Sequence, residues 1–167
     1  PIERIFIVTL KAYRELTLKH IPELPPENLI LEPEGKNTAP CIAYGSLKIK
    51  EKDPDSVTAV LPADHAIGDD EAYAEALSFA YEASLHRLAN GDTPLITLGV
   101  QPRTPETGYG YIKSGNYVML SSGALKAYEA LNFTEKPDLE KAKRFLGEGG
   151  YFWNSGMFIW KTGSIIR

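Results

Sequence analysis

Three stretches gather the polar side chains and bare backbone that could hold a ligand: "EPEGKNTAP" (32–40), "PADH" (62–65) and "QPRTPETGYG" (101–110). Each follows a short apolar run, 29–31, 57–61 and 95–100. Ligands of open parallel sheets bind at such carboxyl ends, where loops diverge and backbone groups are free. Proline and glycine there also make ordinary turns; the coincidence of all three at one edge is what marks a site. Asp64 is a carboxylate just past a buried strand, able to cap the next turn or to ligate Mg2+ beside phosphates, a task that uses only one or two protein carboxylates. His65 reads as a hydrogen-bonded structural imidazole, and His20 and His86 fall in helical patterns. In "FTEKPD" (133–138), Glu135 and Lys136 are adjacent, so an extended chain points them to opposite sides. A bend, which Pro137 favours, would bring them together; without it they are an exposed charge pair. In "YFWNSGMFIW" (151–160), Trp153, Phe158 and Trp160 read as core and 154–156 as a polar turn where a sugar hydroxyl could be held. No Ser/His/Asp or Cys/His arrangement offers an activated nucleophile.

The elements that must position these residues alternate. Strands are expected at 5–8, 28–31, 57–61 and 95–100, and helices at 12–21, from about 40 to 50, at 69–89 and at 139–146, with Asp69 and Asp138 as caps. Tyr73, Leu77, Ala80, Tyr81, Leu85 and Leu88 line one face of the 69–89 helix, and Asn90-Gly91 ends it. In the last helix Leu139, Ala142, Phe145 and Leu146 face inward. Continuous apolar strands between helices predict an α/β fold, a Rossmann-like, mostly parallel sheet with helices on both faces. After Pro102 glycines punctuate short segments, 111–112 and 117–120, that read as added antiparallel strands.

The 167 residues, 43% hydrophobic and 24% charged, fit a single domain, 1–167, with a real core. A net charge of −4 and a pI near 5.4 argue against nucleic-acid or anionic-membrane partners, while leaving room for a small phosphate pocket. The lone Cys41 excludes an internal disulfide framework and suits a reducing, cytoplasmic compartment. No apolar run approaches the roughly 20 residues that span a bilayer, and no export signal opens the chain.

"LEPEGKNTAPCI", "VLPADHAI", "TPETGYGYI", "FTEKPD" and "YFWNSGMFIW", in this order and spacing, resemble the sugar-phosphate nucleotidyltransferase family, and within it the mannose-1-phosphate guanylyltransferase branch. The resemblance runs over nearly the whole chain. It implies the nucleotide-diphospho-sugar transferase fold, GTP and mannose 1-phosphate as substrates, GDP-mannose as product and Mg2+ or another divalent cation as cofactor. By the same carry-over, the 32–40 loop recognises the base through Glu32 and Asn37, with Thr38 also on the nucleotide. Asp64 binds the metal and serves catalysis with Lys136, which reaches the sugar phosphate. Gly108 and Gly110 let backbone approach the hexose, Tyr109 lines its site, and Glu135 and Asn154 take hydroxyls. Homo-oligomerisation is compatible with the pattern.

The family's opening glycine-rich loop, of the "GGxGTRLWPxSR" kind, and its downstream "PKQ" lysine do not occur here. A further metal-binding aspartate of the family would fall beyond Arg167. The chain therefore reads as cut at both ends, a new element beginning at 162–167, and on this reading it is expected to be inactive alone. The alternatives are a nucleotidyltransferase for another base or hexose 1-phosphate, and a non-catalytic nucleotide-sugar-binding protein.

Overall fold

The computed structural model, which describes residues 1–166, alternates strand and helix through its first half and turns antiparallel in its second. The order is β1 (Ile7–Leu10), α1 (Arg14–His20), β2 (Leu29–Glu32), α2 (Thr38–Lys52), β3 (Val57–Val60), α3 (Asp70–Leu85) and β4 (Ile96–Val100). Then follow β5 (Tyr111–Ser122), β6 (Leu125–Thr134), α4 (Leu139–Glu148), β7 (Tyr151–Lys161) and α5 (Thr162–Ile165). Arg167, the end of the expected terminal element, lies outside the described residues.

Strands β1 and β2 pair in parallel, Ile7 opposite Leu29 through Leu10 opposite Glu32. The larger sheet is organised by β7, which the sequence patterning did not show as a strand. One edge of β7 carries β4; the other carries β3 at residues 158–161 and β5 at residues 151–153. Both β3 and β4 run antiparallel to β7, so they run parallel to each other with β7 inserted between them. The "mostly parallel" expectation thus takes the form of a parallel pair, β1–β2, beside a five-stranded antiparallel sheet in which β7 pairs β4 on one edge and β3 and β5 on the other, with β6 beyond β5. The expected segments 111–112 and 117–120 fuse into the single long strand β5, whose pairing with β6 shifts register after Lys113.

Local signals explain the helices. Asp69 accepts from the Ala72 N–H at 2.9 Å and Asp138 from the Lys141 N–H at 2.8 Å, each satisfying one orphan donor of a first turn. Helix α2 starts before Pro40, not at it: the ring sits in the first turn, where no N–H is needed. Helix α3 ends earlier than Asn90-Gly91, because His86 turns extended; on it Ala80, Ala83 and Ser84 are buried and Tyr73 and Leu77 half-buried, while Tyr81, Leu85 and, past its end, Leu88 stay exposed. Small side chains let the helix sit close on the sheet, and the bulky ones flank that contact. On α4, likewise, Ala142 and Phe145 are buried and Leu139 and Leu146 exposed; Phe145 stacks on Tyr151 at 4.1 Å between ring centroids. Among the described residues no helix is long and apolar enough to cross a membrane.

Buried polar groups tie distant segments together. The Asn28 amide donates to the carbonyls of Glu3 (2.9 Å) and Ile5 (3.0 Å) and accepts from Lys52 Nζ (2.9 Å), so the start of β2 is pinned to the entry of β1 and the end of α2. At the foot of β3 the hydroxyls form a directed chain. Ser56 Oγ donates to the Asp53 carbonyl at 2.7 Å, which leaves its lone pairs for Thr162 at 2.8 Å, whose own oxygen lies 2.6 Å from Thr58 Oγ1. Thr162 is fully buried. Thr162→Val should therefore strand a buried donor on Thr58 and cost about 1–3 kcal/mol, read as a lower urea midpoint, whereas Thr162→Ser should stay within about 1 kcal/mol. Equal midpoints for Thr162→Val and wild type would show that the chain of hydroxyls contributes nothing.

Candidate functional site

The phenol of Tyr111 measures out the 101–110 loop. Its ring is buried against α4, and its hydroxyl donates to the Glu106 carbonyl at 2.8 Å, folding the chain back so that Gly110 emerges beside β7. The Asn154 N–H then donates to the Gly110 carbonyl at 2.8 Å. A Cβ on Gly110 would lie 2.9 Å from Glu135 Oε2 and 3.6 Å from Asn154 Cβ. Glu135 and Asn154 thus border one notch whose floor is the Gly110 backbone, and a side chain there would displace the carboxylate. Gly108 is different: a Cβ there meets open space, so no neighbour in this chain demands glycine. Tyr109 packs its ring edge-on to Trp153, centroids 5.3 Å apart, and remains about half exposed, forming an aromatic wall.

Glu135 and Lys136 meet through the bend that Pro137 led us to expect. Lys136 takes a φ of 39°, which swings its Nζ to 3.7 Å from Glu135 Oε1 while both side chains stay open to solvent. Asn154 sits where β7 bulges. Between the pairs Gly99–Asn154 and Thr97–Phe158, residues 155–157 of β7 face Leu98 alone. Gly156, at φ 72°, turns the bulge, and a Cβ on it would lie 3.5 Å from Pro62 of the loop that carries Asp64. The 62–65, 101–110 and 133–138 stretches therefore converge on β7.

Glu32, Asn37 and Thr38 form a second cluster, on the two-stranded sheet. Glu32 ends β2, and Asn37, at φ 67°, turns the chain into α2, whose first residue is Thr38. Asn37 makes no side-chain cap. Cys41, in the first turn, lies beside the Glu32 carboxylate; burial first, then the charge and hydrogen-bonding influence of Glu32, push the thiol pKa up. Asp64 is exposed, and no group of three or more His, Cys, Asp or Glu among the described residues could cage a metal ion. A single hard oxygen donor fits a cation that arrives with phosphates rather than one held by the protein alone. Sequence reasoning missed Tyr111 and Thr97 as supports of the site. Tyr111 opens β5 directly after the 101–110 loop, whereas Thr97 lies within β4, opposite Phe158 at the edge of the β7 bulge; both roles depend on strands brought together from far along the chain.

A family described as nucleotidyl transferase matches residues 1–165. The mannose-1-phosphate guanylyltransferase ManC of Salmonella typhimurium is 44% identical over 144 residues, 84% of this chain and 28% of its own length. The xanthan biosynthesis protein XanB of Xanthomonas campestris is 38% identical over 163 residues, 96% of this chain and 32% of its own. A crystal structure of a mannose-1-phosphate geranyltransferase from Thermus thermophilus superposes with a TM-score of 0.80 at 33% identity, over 99% of this chain and 44% of that one. The chain thus spans less than a third of the length of these two curated relatives.

The thiol reports on the second cluster. Because the charge and hydrogen-bonding influence of Glu32 both raise the Cys41 pKa, Glu32→Gln should lower it and increase the thiolate fraction at any pH below it. Iodoacetamide labelling of Cys41, followed against pH, should shift its midpoint downward in Glu32→Gln. An unshifted midpoint would separate the two side chains.

Proposed function

This chain belongs to the nucleotidyl transferase family, and we propose that it forms part of an enzyme that joins GTP to mannose 1-phosphate, giving GDP-mannose and pyrophosphate. The observation that carries this reading is the Gly110 notch, a carboxylate and an amide flanking bare backbone beside an aromatic wall, which is the composition of a hexose site. Relatives named for mannose 1-phosphate support the choice of sugar and base.

The chemistry asks little of proton transfer. An oxygen of the sugar phosphate forms a bond to the α-phosphorus of the nucleotide as the bond to the β-phosphate oxygen breaks, and pyrophosphate leaves with the electron pair. The nucleophile is already an anion, so positioning and charge compensation supply most of the rate. Glu135 and Asn154 hold hexose hydroxyls, Tyr109 covers the ring, and the Lys136 ammonium reaches the sugar phosphate. Its ion pair with Glu135 is solvent-exposed and costs little to exchange for a phosphate. Glu32 accepts from the ring N–H and exocyclic amine of guanine, and Asn37 and Thr38 line the nucleotide at the start of α2. Asp64 would hold Mg2+, which when bound neutralises phosphate charge.

Purified protein that carries this chain should release pyrophosphate only when GTP and mannose 1-phosphate are both present. Asp64→Asn should lower kcat by about 100-fold or more, and Glu32→Gln should erode the preference for GTP over ATP by about tenfold. Turnover with another nucleotide or hexose phosphate in preference, or a wild-type rate in Asp64→Asn, would contradict the assignment.

A further inference from the structure

We propose that Thr97, on β4, is a positioning residue for hexose recognition: with the Gly156 N–H it holds the Asn154 amide oxygen inward, so that Asn154 meets the sugar only as a donor and Glu135 only as an acceptor. The inference rests on the reading of the Gly110 notch as a hexose site and adds to it a residue and a polarity.

The bulge in β7 is stapled to β4 at several points. Ser155 Oγ donates to the Leu98 carbonyl at 2.7 Å and accepts from the Met157 N–H at 3.1 Å. Thr97 Oγ1 donates to the Met157 carbonyl at 3.1 Å and stands 3.3 Å from Asn154 Oδ1, a single proton shared between two acceptors. The Gly156 N–H, 3.1 Å from Asn154 Oδ1, decides which way the amide faces. A backbone N–H can only donate, so a flipped amide would set N–H against N–H. Oδ1 is thereby engaged twice, and Nδ2 is left without a partner among the hydrogen bonds of the described residues.

That polarity complements Glu135. Its ionised carboxylate can only accept, and Asn154 Nδ2 can only donate. A sugar hydroxyl does both, so one hydroxyl can bridge the two groups, or two neighbouring hydroxyls can take one each, whereas a deoxy position would leave one of them unpaired. Thr97 lies on the far side of Asn154 and acts through it. Removing its hydroxyl frees one of the restraints on Oδ1 and one staple of the bulge, without touching the nucleotide cluster at residues 32–41.

The test is steady-state kinetics on the protein that carries this chain. Thr97→Val, nearly the same shape without the hydroxyl, should raise KM for mannose 1-phosphate about five- to tenfold while kcat and KM for GTP change less than about twofold. Thr97→Ser should restore the wild-type value. Asn154→Asp keeps an acceptor for Gly156 but loses the donor, and should raise the same KM by about 100-fold. A merely structural role would instead move kcat and both KM values together. If wild type turns over and Thr97→Val leaves the sugar KM unchanged while Asn154→Asp raises it, the Thr97 inference falls alone. Failure of Thr97→Ser to rescue also overturns it. If wild type shows no turnover that depends on a hexose 1-phosphate, the reading of the notch falls and this inference with it.

Discussion

Strand β7 hydrogen-bonds along both edges, and that double pairing is the constraint on which the rest depends. Its far half, residues 158–161, is held by β3, its near half, 151–153, by β5, and its opposite edge by β4. A strand so enclosed cannot slip by one residue without breaking ladders on both sides and turning Ile159 and Trp160, both buried, to the wrong faces. Register is therefore fixed where it matters, and residues 155–157 can depart from it as a defined bulge.

From this frame the site follows. The bulge presents Asn154 toward Gly110 and Gly156 toward Pro62, while β5 and β6, paired from Tyr111–Thr134 onward, deliver Gly110 and Glu135 from adjacent strand ends. Hydrogen bonds to backbone, from Tyr111 to Glu106 and from Ser155 to Leu98, make the loops continuations of the sheet. On the proposed reading a hexose would meet an Asn154 amide that is already oriented, so that group loses little ordering free energy on binding. The cluster of Glu32, Asn37 and Thr38 is built separately, beside the β1–β2 pair; the Asn28 hub ties that pair to the end of α2, and the hydroxyl chain at Thr162 joins the segment after α2 to β3.

The parts of this arrangement written in local chemistry were legible in the sequence. Asp69 and Asp138 announced their helices, Pro137 announced the bend that joins Glu135 to Lys136, and the polar stretches after 29–31, 57–61 and 95–100 marked the strand ends. What depends on partners far along the chain was not legible. The segment 151–161 reads as aromatic core with a polar turn because a bulge interrupts the two-residue alternation that identifies a strand. Its insertion between β3 and β4 leaves no sequence signal at all. The inward face of α3 was legible only in part: Ala80 is buried and Tyr73 and Leu77 half-buried as expected, but hydrophobic periodicity favours large side chains, and close packing on the sheet also selected Ala83 and Ser84 and left Tyr81 and Leu85 exposed. The roles of Thr97 and Tyr111 emerge only once β4, β5 and β7 are side by side.

A crystal structure of the protein that carries this chain, bound to GDP-mannose, tests the central claim most directly. The account predicts the hexose over the Gly110 backbone, one or two of its hydroxyls within hydrogen-bond distance of Asn154 Nδ2 and Glu135, and guanine against Glu32. A hexose seated away from the β7 bulge, or an Asn154 amide presenting its oxygen to the sugar, would contradict it.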